Sequence, residues 1–437
     1  MGDTLRSQTI STKLEQIAEQ ARAYPDMTFT TLAHLIDVEF LGVAFQQLRK
    51  DAAPGVDGTT AEKYAENLGE NLRDLHERMR SGRYKATPVK RIWLDKDDGR
   101  KRPIGITALE DKIAERAVAM ILVAIYEEEF YDFSYGFRPG RNPHQALSVL
   151  RERCMGMNGG WIIDVDVQSY FDKIPHGKLV EVLKKRVNDG GIIRLIGKWL
   201  NAGVMEEGTL SHAEEGAPQG GVISPVLSNV YLHEVMDKWF VEAVKPRLKG
   251  QAYLIRFADD AIILCELEED ARRLMQVLPK RFERYGLTIH PKKTRLVRFE
   301  KPRKNDSGKG KGNGTFDFLG FTHYWARSRR GYWVVKRKTI AKRMRRAMNE
   351  FWQWCRWNRH VLITEQYKKL CQKLRGYYQY YAIRGNYPAL EKVYSFVVRA
   401  WRYWLRRRDR KKQLSWEKYE KVQELFPLPR PRIIHTT

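Results

Sequence analysis

The sequence predicts an α+β protein, on three observations. Tyr253-Leu254-Ile255 and Ile262-Ile263-Leu264 are apolar runs joined by the short link Phe257-Ala258-Asp259-Asp260, which reads as a β-hairpin with an acid pair at its tip. Trp161–Val167 alternates with period two, so Ile163, Val165 and Val167 share one face and Asp164 and Asp166 the other. Apolar residues also recur at helical spacing, at Leu14, Ile17, Ala18 and Ala21 and again through the rings of the last third.

Taken in order, Thr12-Lys13-Leu14-Glu15 is a capping-box pattern that starts a first helix, and a second runs from about Thr31 to Arg49. Val89–Arg102 reads as a hairpin whose tip is Asp98-Gly99, with Lys90, Arg91, Lys96 and Arg102 giving it a basic surface open to phosphate or to solvent. Gly216–Pro225 is a glycine-rich loop opening a helix, Ser224 as cap and Pro225 at the first helical position. It is either an ordinary loop or one whose backbone approaches a nucleotide, with Gln219 offering amide groups. Lys301–Gly314, rich in Lys, Gly and Asn, reads as a mobile loop between strand-like segments.

Adjacent carboxylates repel, so Asp259 and Asp260 are either solvated or neutralised by a cation. A strand bearing Asp166 beside the hairpin would complete a three-carboxylate cluster. Mg²⁺ takes hard oxygen ligands, and two such ions roughly 4 Å apart clamp the attacking and leaving oxygens of an in-line phosphoryl transfer.

Composition agrees. Lys and Arg number 79 against 53 Asp and Glu, a net charge of +26 that attracts phosphate backbones. From Trp325 to Lys412 there are 26 Lys or Arg against four acids, interleaved with Trp352, Trp354, Trp357, Tyr377, Tyr378, Trp401 and Trp404. Such rings pack a helical core or stack on bases while the cations track phosphates. The 437 residues suffice for two or three subdomains. No apolar run reaches the roughly 20 residues of a membrane helix, and the start carries no signal-peptide run, so a cytoplasmic location is expected. The four cysteines form no C-x-x-C pair, which argues against zinc and disulfides.

The ordered series Val165-Asp166 with Phe171-Asp172, Pro218-Gln219-Gly220-Gly221, Phe257-Ala258-Asp259-Asp260, Lys292-Lys293-Thr294 and Phe318-Leu319-Gly320-Phe321 resembles the reverse transcriptases, in particular the bacterial group II intron-encoded reverse transcriptases, or maturases. Gly55-Val56-Asp57-Gly58, Arg102-Pro103-Ile104-Gly105-Ile106 and Ser134–Arg141 resemble that family's fingers, and Leu374–Tyr381 its thumb. The resemblance, spanning roughly residues 40 to 437, implies a right-hand polymerase with helical fingers, an antiparallel-sheet palm and a helical thumb. It implies an N-terminal helical extension over 1–50, fingers over 51–160, a palm with the catalytic carboxylates over 161–325, and a basic thumb or maturase domain over 326–437.

Carried over by motif, Asp166, Asp259 and Asp260 become the catalytic carboxylates holding two Mg²⁺ ions. Lys96, Arg102, Phe171, Gln219 and Gly220 become contacts to the incoming dNTP. Phe171 would be a gate that excludes the ribose 2′-hydroxyl, where the residues alone leave it equally a core ring. Asp164 stays outside the set, tuning the field or pairing with a basic residue. The implied partners are an RNA template, a DNA or RNA primer, dNTPs and intron RNA, with no membrane and the oligomeric state left open. Two positions depart from the family pattern: Phe257 stands where Tyr is usual, and Gln168 where Lys or Glu is common. The chain stops soon after the thumb, which resembles the kind lacking a Cys- and His-bearing endonuclease domain and dependent on a primer made elsewhere. The expected activity is RNA-directed DNA synthesis with a role in intron splicing and mobility. The alternatives are an RNA-binding splicing cofactor, or a domesticated enzyme of DNA repair or antiphage defence.

Overall fold

The computed structural model describes residues 2–95, 101–206, 209–211, 220–302, 314–408 and 414–436. It divides into two compact units, Met1–Asn142 with Ile163–Leu296 and Pro143–Ile162 with Val297–Thr437.

The first unit opens on α1 (Gly2–Ala23). The helix runs straight through the expected capping box, because the Thr12 hydroxyl donates to the Gln8 carbonyl at 3.0 Å, the back-bond of a Thr inside a helix rather than at its start. The second helix is also shorter than expected. α2 (Val38–Gln46) begins where the Asp37 carboxylate accepts the Phe40 N–H at 2.8 Å, and the residues before it form only a single 3₁₀ turn, Ala33–Leu35. α3 (Ala61–Ala65) and α4 (Leu68–Arg80) follow. β1 (Val89–Asp95) and β2 (Lys101–Ile106) then form the expected antiparallel hairpin, Lys90 opposite Ile106 and Asp95 opposite Lys101. α5 (Leu109–Tyr126) is apolar on almost every side and buried accordingly, including its polar Asp111, Lys112 and Glu115.

Chain order next passes through α6 (Pro143–Gly156), which belongs to the second unit, and β3 (Trp161–Val165). α7 (His176–Lys184), α8 (Gly190–Leu200) and the short strands β4 (Val204–Glu206) and β5 (Thr209–Ser211) return to the first unit. β4 joins β1 in parallel, giving a sheet ordered β2-β1-β4-β5. α9 (Ser224–Leu232) continues into wider π-helical turns over His233–Lys238 and Phe240–Val244. β6 (Ala252–Phe257) and β7 (Asp260–Cys265) form the second expected hairpin, α10 (Glu268–Arg284) follows, and β8 (Arg295–Arg298) closes a sheet ordered β6-β7-β3-β8.

In the second unit β9 (Phe316–Phe318), β10 (Phe321–Arg327) and β11 (Trp333–Thr339) form an antiparallel sheet, β10 in the middle. Four helices complete it: α11 (Ala341–Trp357), α12 (Ile363–Tyr381), α13 (Tyr387–Arg406) and α14 (Trp416–Leu425). Their core gathers Leu374, Tyr378, Val397, Trp401, Trp404 and Tyr419, and the Trp401 indole N–H donates to Gln366 Oε1 at 2.9 Å. The rings named from sequence therefore mostly pack inward, whereas Trp357 is 73% exposed. Lys342, Arg343, Arg345, Arg346, Lys368, Lys369, Lys373 and Arg375 point outward, as a basic surface laid over a ring-filled core requires. Among the described residues no helix is long and apolar enough to cross a membrane.

Candidate active site

β6 and β7 are joined by two residues, Ala258 and Asp259, since Phe257 pairs with Asp260. Ala258 takes φ 55°, left-handed backbone that costs a residue with a Cβ on the order of 1 kcal/mol. Three neighbours hold it there. Gly136 lies so close that a Cβ on it would stand 2.2 Å from the Ala258 nitrogen. The segment Phe133–Tyr135 runs beside β6, Arg256 N–H donating to Phe133 O and Tyr135 N–H to Arg256 O, both at 2.9 Å. The third is Arg256 itself, fully buried, whose Nη1 donates to the Ala258 carbonyl at 3.1 Å.

Arg256 spends every remaining donor inside the protein. It forms a two-point pair with Asp237 (Nε to Oδ1 2.8 Å, Nη2 to Oδ2 2.6 Å), and donates to Asn229 Oδ1 at 3.0 Å and Ser134 Oγ at 2.7 Å. Asn229 Nδ2 in turn donates to the Gly136 carbonyl at 2.7 Å, closing a network around the turn. Burial alone would raise the Asp237 carboxyl, but the Arg256 guanidinium outweighs it and holds the group below the usual carboxylate range. Sequence reading passed over Arg256; the signal was a lone cation inside the apolar run Tyr253–Phe257.

β3 lies beside β7 in the sheet, so the strand leading to Asp166 is the hairpin's immediate neighbour. Asp166 is fixed through its backbone: its carbonyl accepts the His290 N–H at 2.8 Å, and its N–H donates to Thr294 Oγ1 at 3.1 Å. Lys293 Nζ stands 3.2 and 3.4 Å from the two Asp166 carboxylate oxygens. Asp164 pairs with Arg295 Nε at 3.1 Å. After Asp166 the chain turns at Ser169, φ 48°, into a 3₁₀ turn that buries Tyr170 and Phe171. Tyr170 donates to the Ser228 carbonyl at 2.8 Å. Burial raises its hydroxyl, Arg256 opposes that and the negative charge of Asp259 adds to it, so the hairpin tip and the 166–172 segment share one field.

The donor set suits Mg²⁺ in chemistry. The ion is held through one or two carboxylates together with substrate phosphates rather than in an all-protein cage, and a cation, the Lys293 ammonium, already lies against Asp166. As the side chains stand, no three His, Cys, Asp or Glu groups among the described residues converge closely enough to hold a metal ion.

Of the expected nucleotide contacts, Lys96 and Gln219 lie outside the described residues; Arg102 has its backbone in β2 opposite Leu94. Gly220, φ 118°, presses against β2 so closely that a Cβ would meet the Gly105 carbonyl oxygen at 2.2 Å, which explains a glycine there. The following helix is capped one residue earlier than expected, by Ile223 rather than Ser224. Its leading N–H groups instead meet a side chain from α5: Glu115 Oε2 accepts from Val222 at 2.5 Å and Ile223 at 3.3 Å. Burial, with Asp111 nearby, pushes the Glu115 carboxyl up to about 8 against the pull of those two N–H groups.

Residues 94–323, a span that takes in the second hairpin and the strand leading to Asp166, match the family of reverse transcriptases (RNA-dependent DNA polymerases). The chain belongs to that family, in its group II intron-encoded reverse transcriptase and maturase branch. It is 37% identical over 232 residues to Protein YkfC of Escherichia coli K12, a match covering 52% of this chain and 61% of that protein. It is 31% identical over 283 residues to the group II intron-encoded protein LtrA of Lactococcus lactis, covering 61% of this chain and 46% of LtrA. A shorter match, 34% over 90 residues, joins it to the mitochondrial nuclear intron maturase 2 of Arabidopsis thaliana, covering 21% of this chain and 12% of that protein. The matches thus span less than two thirds of these relatives.

Proposed function

We propose that the chain is an RNA-directed DNA polymerase that extends a primer 3′-hydroxyl with dNTPs and also binds intron RNA to assist splicing and mobility. The observation that carries this is the buried Arg256 network, which holds left-handed Ala258 in the turn that presents Asp259 and Asp260 beside the strand leading to Asp166. Strained backbone held by a fully satisfied polar network is the mark of a site kept for chemistry.

Asp166, Asp259 and Asp260 would hold two Mg²⁺ ions, the metal reverse transcriptases generally use. When bound, these ions supply Lewis-acid stabilisation of the attacking hydroxyl and the departing pyrophosphate. The chain's own residues do the rest. Phe171, nearly buried, would exclude a 2′-hydroxyl, and Gln219 and Gly220, the latter packed against β2, would contact the nucleotide. Lys96 and Arg102 would neutralise its triphosphate. Fingers, palm and thumb over 51–160, 161–325 and 326–437, after an extension over 1–50, are the division this reading implies.

A second reading, an RNA-binding splicing cofactor without synthesis, draws on the Lys293 ammonium held against Asp166. Primer extension on a defined RNA template, with Mg²⁺ and dNTPs, separates the two. Wild-type synthesis lost in Asp259→Asn, with ribonucleotide use gained in Phe171→Ala, supports the polymerase. Synthesis that survives Asp259→Asn refutes the carboxylate assignment, and no synthesis by wild type alongside salt-sensitive RNA binding favours the cofactor.

A further inference from the structure

The first unit holds a cavity of about 520 Å³ that takes no part in the site above, lined by the Ala33–Leu35 turn and its flanks, the end of α4 and one side of α8. Its walls are braced. The Asp189 carboxylate, which caps α8 at Ile192, also accepts the N–H groups of Leu32 at 2.6 Å and Ala33 at 3.0 Å, joining two of those elements. Gly191 packs so tightly that a Cβ on it would stand 2.6 Å from the Ala33 methyl.

The lining has two chemistries. Ile36, Met79 and Leu195 make an apolar side. Arg80, Arg194 and Lys198 bring three positive charges. Arg80 and Arg194 are exposed and form no hydrogen bond or ion pair with any described residue. Lys198 donates to the carbonyls of Gly82 and Tyr84, which orient the ammonium without cancelling its charge. The acid in the lining, Asp37, is already engaged by Lys13 at 3.1 Å and by the Phe40 N–H. A braced concavity with one apolar side and an excess of cations favours an anion that carries a flat apolar body.

We propose that this cavity binds a single nucleotide unit, its phosphate against Arg80, Arg194 and Lys198 and its base over Ile36, Met79 and Leu195. The nucleotide comes either from an RNA strand or free from solution, and the choice of a nucleotide over other anions rests on the polymerase reading. Its volume lies within the range of small-ligand sites.

The test uses the full chain and a 4-thiouridine-bearing oligoribonucleotide, with cross-links mapped by mass spectrometry and primer extension run in parallel. Cross-links are expected in residues 33–37, 76–82 and 191–198. Arg80→Ala/Arg194→Ala should weaken them roughly tenfold or more, the loss expected when charged phosphate contacts are removed. Arg273→Ala/Arg284→Ala removes the same charge from exposed positions on α10 and should leave them intact, and neither pair should alter extension of a short primer–template. Loss of the cross-links under millimolar adenosine monophosphate assigns the site to free nucleotide, and their persistence assigns it to a strand. Absence of cross-links in these segments, or equal loss in the α10 pair, overturns the proposal. Cross-links here with no extension by wild type would overturn the polymerase reading and leave this site standing.

Discussion

Replacing Arg256 with Met keeps an unbranched apolar stem and removes the guanidinium. Five hydrogen bonds go with it, two of them to Asp237, and both side chains are fully buried. An ionised carboxylate left without its partner in that setting costs about 3–5 kcal/mol, a large part of the roughly 5–15 kcal/mol that holds a domain folded. Thermal unfolding should therefore move down by roughly 6–20 °C. Activity should fall for a separate reason. The Ala258 carbonyl loses its anchor, and displacing a catalytic group by an ångström costs roughly 100-fold. Because Arg256 touches no substrate, kcat should fall with KM for dNTP little changed. The double variant Arg256→Met/Asp237→Leu separates the two effects: stability should return, since an apolar pair can replace a buried ion pair, whereas synthesis should not. An Arg256→Met protein that unfolds within about 2 °C of wild type and extends primers normally would refute the reasoning. A double variant as unstable as the single one would refute the stranded charge as its cause.

Further outcomes follow from the same geometry. Gly136→Ala drives a methyl into the Ala258 backbone, where no flexible side chain can yield, and should cost about 1–3 kcal/mol along with most synthesis; thermal unfolding and primer extension check both. Lys293→Met removes a half-exposed ammonium from Asp166 and should lower the Mg²⁺ concentration for half-maximal synthesis roughly two- to fivefold, read from a Mg²⁺ titration. Glu115, whose carboxyl stands at about 8 in the folded protein against 4.5 as the ordinary value, binds its proton more tightly when folded. Its stabilising contribution is therefore full below the ordinary value and is lost as pH rises through about 8, at up to about 1.4 kcal/mol per pH unit. Glu115→Gln should gain stability relative to wild type across that window, and a pH-independent difference between their denaturation midpoints would contradict the assignment.

What the sequence made legible was local. The hairpin over 252–265 and the strand starting at Trp161 announce themselves through period-two patterning and short links; the hairpin forms as read, whereas the strand, read as 161–167, ends at Val165, one residue before Asp166. The start of α1 was misread because a capping box and a helix interior can share the letters Thr-Lys-Leu-Glu; only the Thr12 back-bond distinguishes them. Arg256, Asp237, Asn229 and Ser134 could not be joined from sequence, because their meeting is a property of the packed unit rather than of any window. The same holds for Lys293 on Asp166 and Glu115 at the head of α9. Motif spacing sets Asp164 apart from Asp166, and the structure pairs Asp164 with Arg295, a partner no sequence window displays.

The span of the Arg256 network has a consequence for how the protein comes into being. Arg256 reaches Ser134 across 122 positions, and Asn229 reaches Gly136 across 93. During synthesis, then, the earlier half of the clamp leaves the ribosome long before the turn it must brace. Contacts of such long sequence separation form slowly. A growing chain can carry Asp166 and the complete first hairpin and still lack a working centre, so activity should emerge late and all at once, when Arg256 seats.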